Sequence, residues 1–272
     1  MAVTLPCLRS LVGVLALAAL VPTAGISAAA EQPSAHPSVV GGTQASTSTY
    51  PFMVFLTNTT GFQFCGGTLV KPNKVVTAAH CTINQTAAGI RVVAGRDDKQ
   101  STAGIVANVS KIWIHPSYTD ATVGSDVSVL TLSTNLNFGT LPVAASTDTA
   151  LYAEGTNTLI LGWGDTTEGG AASRYLLQAM VPLTSDATCK TAYSQYNASA
   201  MVCAGYPQGG TDTCQGDSGG PLIAGGKLIG ITSWGQGCAE AGFPGIYTRV
   251  ITYSSLINQQ LAAAQADAPA GS

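Results

Sequence analysis

Between residues 39 and 261, short apolar or alternating runs recur, separated by clusters of Gly, Pro, Asn or Ser. The runs at 52–56, 74–77, 90–94, 111–114, 127–132, 158–161, 176–183, 228–233 and 245–250 are mostly rich in Val, Ile, Leu and Thr. Such residues suit a pleated, half-buried surface, and the intervening turn residues break each run after a few positions. Many short strands at this spacing predict an all-β barrel or sandwich. Two segments read as helices. Residues 185–193 fit a short helix, with Ser185 or Asp186 as its cap. Tyr253, Leu256, Ile257, Gln260 and Leu261 follow helical spacing and predict an amphipathic helix at the end of the unit. With no internal repeat and no linker signal, 39–261 reads as one compact domain.

The ends differ in kind. Arg9 is the only charge before Glu31, residues 11–21 are almost wholly apolar, and Ala28-Ala29-Ala30 offers small residues at an A-x-A site. Residues 1–30 therefore read as a secretory signal peptide, which makes the protein secreted and extracellular rather than membrane-bound. Cys7 precedes the apolar run and leaves with the signal. Residues 262–272, rich in Ala with Gln, Pro and Gly, have no periodic apolar face and read as a flexible tail.

Composition narrows the class. Charged residues are 9% of 272, against roughly 25% in an average soluble protein, and apolar residues are 46%. This excludes a disordered chain and a coiled coil. The net charge is −3 without a basic stripe, so nucleic acid is not an expected partner. Once Cys7 is removed, six cysteines remain: Cys65, Cys81, Cys189, Cys203, Cys214 and Cys238. An even number in an exported chain points to three disulfides, whose pairing spacing alone leaves open. No C-x-x-C pair or cysteine–histidine ligand set is present, and neighbouring Asp97 and Asp98 do not make a calcium cage. No metal site is assigned and no cofactor is expected, with calcium left open.

Histidine is scarce, which narrows the search for a catalytic base. His36 lies before the domain, and His115 sits in a turn-like His-Pro-Ser-Tyr stretch, where a structural role is expected. His80 ends the β-type run 75–79 and is followed by Cys81, whose disulfide would anchor the backbone beside the imidazole. A nucleophile candidate lies in Asp212-Thr213-Cys214-Gln215-Gly216-Asp217-Ser218-Gly219-Gly220-Pro221. Its glycines permit a tight turn with bare N–H groups, so the amides of Gly216 and Ser218 could converge on one oxygen.

Thr77-Ala78-Ala79-His80-Cys81, taken with Gly216-Asp217-Ser218-Gly219-Gly220-Pro221, resembles the chymotrypsin/trypsin family of serine proteases. Val39-Val40-Gly41-Gly42 resembles the family's mature N-terminus, and residues 124–130 its buried-aspartate strand. Gly162-Trp163-Gly164 and Ser233-Trp234-Gly235 match as well, and the run 203–207 is most similar to actinomycete trypsins. One departure is Ser128, where the family usually has a small apolar residue.

The resemblance implies two six-stranded antiparallel β-barrels followed by a C-terminal helix. It implies a triad of His80, Asp126 and Ser218, an oxyanion hole from the amides of Gly216 and Ser218, and disulfides Cys65–Cys81, Cys189–Cys203 and Cys214–Cys238. The mechanism so implied is the known acyl-enzyme template of this family. Asp212 becomes the floor of a substrate pocket lined by Thr213, Gln215, Ser233, Trp234, Gly235 and Gly245. A carboxylate there would accept a guanidinium, which implies cleavage after Arg or Lys. Asp217 would pair with the amine freed at Val39, making 31–38 an activation propeptide. Because Ser38 precedes the junction, a separate protease of other specificity is expected to cut it. Expected partners are therefore protein or peptide substrates, that activating protease and protein inhibitors of the cleft, with the enzyme itself a monomer. Asn58, Asn84, Asn108 and Asn197 head N-glycosylation patterns, which a bacterial source would leave unused.

Overall fold

The structure is a computed structural model and describes residues 1–2 and 39–263. The expected signal peptide, propeptide and His36 lie outside the described residues, as does the tail beyond Ala263.

The domain begins with the two-residue strand β1 (Thr43–Gln44) and continues into β2 (Met53–Thr57), β3 (Gln63–Lys71), β4 (Lys74–Thr77), β5 (Arg91–Ala94), β6 (Ile105–Ile114) and β7 (Ser128–Leu132). Strands β2 to β7 close on themselves in the order β2-β3-β4-β7-β6-β5, every pairing antiparallel. Closure removes exposed edges. The barrel interior is filled by residues such as Val54, Leu56, Leu69, Val75, Val92 and Leu130, all fully buried.

The second half contains β8 (Asn157–Gly162), β9 (Leu177–Pro182), α1 (Asp186–Ala192), β10 (Met201–Ala204), β11 (Pro221–Ala224), β12 (Lys227–Trp234), β13 (Gly245–Arg249) and α2 (Val250–Ala262). Its strands run β1-β9-β8-β11-β12-β13-β10. These are the six strands of the second half, to which the two-residue β1 from the domain's start adds at β9 to make seven. The remaining six come together through one bridge, Leu183 to Ala204.

Several strands exceed the apolar runs that signalled them. The run at 111–114 is only the end of ten-residue β6, where the exposed polar residues Asn108 and Ser110 interrupt the apolar pattern. Strand β3 contains Gly66-Gly67, which breaks the run of apolar side chains that would otherwise mark it. A Cβ at Gly67 would lie 2.8 Å from Val75 Cγ1, so this glycine serves close strand packing within the barrel.

Both expected helices are present. The Ser185 side chain accepts a hydrogen bond from the Thr188 N–H at 3.0 Å and caps α1. In α2, Val250, Tyr253, Ser254 and Ile257 are buried. The Tyr253 hydroxyl accepts from the Ser125 N–H at 2.9 Å, tying the helix to the turn before β7.

Candidate active site

His80 follows β4 and Asp126 precedes β7, and the pairing of those two strands brings the residues together. His80 Nδ1 lies 2.7 Å from Asp126 Oδ2, and the His80 backbone N–H donates to Asp126 Oδ1 at 2.9 Å. The imidazole is partly exposed, whereas the carboxylate is 1% exposed. Ser233 Oγ donates to Asp126 Oδ2 at 2.6 Å, and Thr248 Oγ1 donates to the Asp126 carbonyl at 2.7 Å. Three donors therefore satisfy this buried carboxylate, as a charge in the interior requires. With Nδ1–H directed at the carboxylate, Nε2 holds the free lone pair.

Ser218 sits in the loop before β11. Its carbonyl accepts from the Gly66 N–H at 2.8 Å and lies 3.6 Å from the Cys81 sulfur, next in sequence to His80. Gly219, at φ +81°, donates to the Thr232 carbonyl at 2.8 Å. A Cβ there would collide with Thr77 Oγ1, so only glycine lets the loop approach β4 this closely. Among the described residues, neither the Gly216 N–H nor the Ser218 N–H has a protein acceptor.

Asp217 is fully buried. It accepts from the Gly164 N–H at 2.8 Å and the Cys214 N–H at 3.0 Å, and burial still pushes its pKa up to about 6. Val39 is also fully buried, at φ +38°, a conformation that strains a β-branched residue. Its neighbour Val40 accepts from the Asp212 N–H at 3.2 Å, so the start of the domain lies against the loop segment that carries Asp212.

Asp212, Thr213, Gln215, Ser233, Trp234, Gly235 and Gly245 all line one cavity of about 230 Å³, and Ser218 borders it. Asp212 is 5% exposed. It accepts from the Thr213 N–H at 2.8 Å and the Ala239 N–H at 3.4 Å, and burial raises its pKa to about 7. A Cβ at Gly245 would lie 2.5 Å from Asp212 Oδ1, and one at Gly235 would face Gly245 Cα at 4.0 Å. Side chains at either position would fill the slot. Disulfide Cys214–Cys238 braces the wall, and Cys65–Cys81 and Cys189–Cys203 are also formed. Cys65, His80 and Cys81 cluster closely, but both thiols are spent in the disulfide, so this is not a metal site.

His115 is buried between Trp113 and Tyr253 and accepts from the Ser117 N–H, and burial lowers its pKa. It packs as a neutral structural ring. Sequence reasoning missed Thr248, which grips the Asp126 backbone carbonyl from β13, and Tyr193, which donates to the Pro244 carbonyl at 3.0 Å and accepts from the Gln236 N–H at the pocket rim. Neither sits in a local pattern that distinguishes it from a core residue.

The trypsin family model matches residues 39–257. A trypsin of Saccharopolyspora erythraea is 52% identical over 223 residues, covering 82% of this chain and 98% of that protein. A trypsin of Sus scrofa is 37% identical, covering 83% of this chain and 96% of that protein. Serine protease 1 of Canis lupus familiaris is 38% identical, covering 83% and 90%.

Proposed function

Given that this chain belongs to the trypsin family of serine endopeptidases, we propose that it cleaves peptide bonds after Arg or Lys through His80, Asp126 and Ser218. One observation carries the specificity: a buried carboxylate, Asp212, at the end of a slot that glycines keep open. A guanidinium or ammonium entering the slot pairs with that carboxylate and sets the scissile carbonyl over Ser218.

In this reading His80 Nε2 takes the proton as Ser218 Oγ attacks the carbonyl. Asp126 keeps the imidazole in the required tautomer and stabilises the imidazolium. The unclaimed amides of Gly216 and Ser218 receive the oxyanion. The imidazolium then protonates the leaving amine, and water repeats the sequence on the acyl-enzyme.

The chain is made as an exported precursor that scission before Val39 activates. Burial of Asp217 without a formal cation partner in the described residues supports this, because a freed Val39 ammonium would neutralise it. Scission also releases the φ strain at Val39. Because Ser38 does not fit the slot, a protease of other specificity makes the cut.

Assay of the matured protein on matched Arg, Lys and Phe peptide esters tests the specificity. Hydrolysis of the Arg and Lys esters only, abolished by Ser218→Ala, is the expected result. Equal turnover of the Phe ester would refute it.

A further inference from the structure

We propose that Lys99 is a positioning residue for catalysis: through Gln63 it fixes the peptide plane that follows Gly216. The proposal rests on the reading that Gly216 and Ser218 form the oxyanion hole.

Lys99 lies in the loop between β5 and β6. Its backbone N–H donates to the Arg174 carbonyl at 2.9 Å, and the preceding Asp98 pairs with the Arg174 guanidinium. Its ammonium donates to Gln63 Oε1 at 2.6 Å and to the Trp163 carbonyl at 3.1 Å. No carboxylate lies within ion-pair distance of it among the described residues. Burial lowers its pKa, while the fields of Asp217 and Asp165 raise it.

Gln63 passes the constraint on. Its amide has one acceptor end and one donor end. With Lys99 on Oε1, the NH₂ end is left to donate to the Gly216 carbonyl, which it does at 3.2 Å. Without the lysine, the amide can flip and set oxygen against oxygen.

Two peptide planes meet at Gly216, which sits at φ +93°. The plane before it is held by the Asp165 N–H, which donates to the Gln215 carbonyl at 2.7 Å. The plane after it is the one Gln63 holds. A glycine joining two planes has little intrinsic stiffness, so the second anchor sets how the Gly216 N–H stands relative to the Ser218 N–H. A hole preorganised in this way stabilises the oxyanion without reorganising during reaction.

The test uses the enzyme cleaved before Val39 and carrying Lys99→Met, Gln63→Leu or both changes. A peptidyl-arginine aldehyde probes the hole, since its hemiacetal oxygen occupies it. Benzamidine probes only the slot. The aldehyde has no leaving group, so it reads the hole without any contact made by the departing half of a substrate. Lys99→Met is expected to weaken the aldehyde, and to lower kcat on an arginyl amide, by about tenfold to 10²-fold. KM and benzamidine affinity should stay within about twofold. Gln63→Leu should give the same pattern, and the double variant should be no worse than either single one. If Lys99→Met does not fold, Gln63→Leu alone reads the relay.

Unchanged aldehyde affinity and kcat would overturn the proposal. So would parallel loss of aldehyde and benzamidine binding, which marks a merely structural role. If the unmodified enzyme binds the aldehyde no better than the matching alcohol, the oxyanion-hole reading itself has failed and the proposal goes with it.

Discussion

Ser233 and His80 hold the same oxygen: Ser233 Oγ lies 2.6 Å, and His80 Nδ1 2.7 Å, from Asp126 Oδ2. One residue comes from β12 and the other follows β4, so the two sheets meet on this carboxylate. Asp126→Asn should keep the fold but present an amide that cannot accept from both donors in the same way. A fall in kcat of about 10⁴-fold is expected, the magnitude known for this family's triad. Ser233→Ala removes one of three donors and should cost far less, roughly tenfold, by analogy with loss of one net hydrogen bond. Steady-state kinetics on an arginyl amide compares the two.

The raised pKa of Asp212 makes a pH prediction. Half of the empty slots carry a protonated carboxyl at about pH 7, and a cationic ligand needs the carboxylate. Benzamidine affinity should therefore fall as pH drops below about 7, approaching tenfold per pH unit. Asp212→Asn should bind weakly and show no such slope. Calorimetric titration between pH 5 and 9 measures both.

The same carboxyl affects stability. Its folded pKa is raised, so the native state holds the proton more tightly than the unfolded chain does. That contribution is fully present below the unfolded value, near 3.8, and is lost as pH rises to about 7. Asp212→Asn should thus stabilise the protein above pH 7, by up to about 4 kcal/mol, and much less at pH 4. Thermal melts at the two pH values check the sign.

Much of this site is visible in the one-dimensional chain, because its chemistry depends on local strings. The glycines around Ser218 and the His80-Cys81 pair are adjacent in sequence, and their spacing is itself a signal. What spacing cannot carry is the contact made by a distant, chemically ordinary residue. Thr248, Gln63 and Lys99 reach the site through tertiary pairing alone. The fold shows the same division. Runs of β-branched residues mark the strands they dominate, but β3 is hidden by its glycine pair, and β11 by the proline that opens it. The addition of β1 to the second sheet depends on pairing across more than 130 residues, which no local pattern encodes.

Closing the slot should abolish basic specificity without touching the triad. At Gly245 a methyl group would sit 2.5 Å from Asp212 Oδ1. Gly245→Ala is therefore expected to raise KM for arginyl substrates at least tenfold, since the ligand loses its bidentate geometry. Labelling of Ser218 by a small fluorophosphonate should continue at close to the normal rate, and comparing the two measurements separates pocket from nucleophile.

The activation reading can be checked on the precursor. A Ser218→Ala precursor mixed with mature enzyme should remain uncut between Ser38 and Val39, while a protease accepting small residues should cut it. Prompt scission by the mature enzyme would contradict the requirement for a separate activator. Asp217→Asn should leave the matured enzyme folded but with low kcat, because the Val39 ammonium would lose its buried partner.

The central claim is that Ser218 is a nucleophile activated by His80. Its most direct test is reaction of the protein cleaved before Val39 with a fluorophosphonate, followed by peptide mapping by mass spectrometry. The account predicts one equivalent of label, all on Ser218, slowed by benzamidine and absent in His80→Ala. An active preparation that takes up no label, or carries it on another residue, would contradict the account.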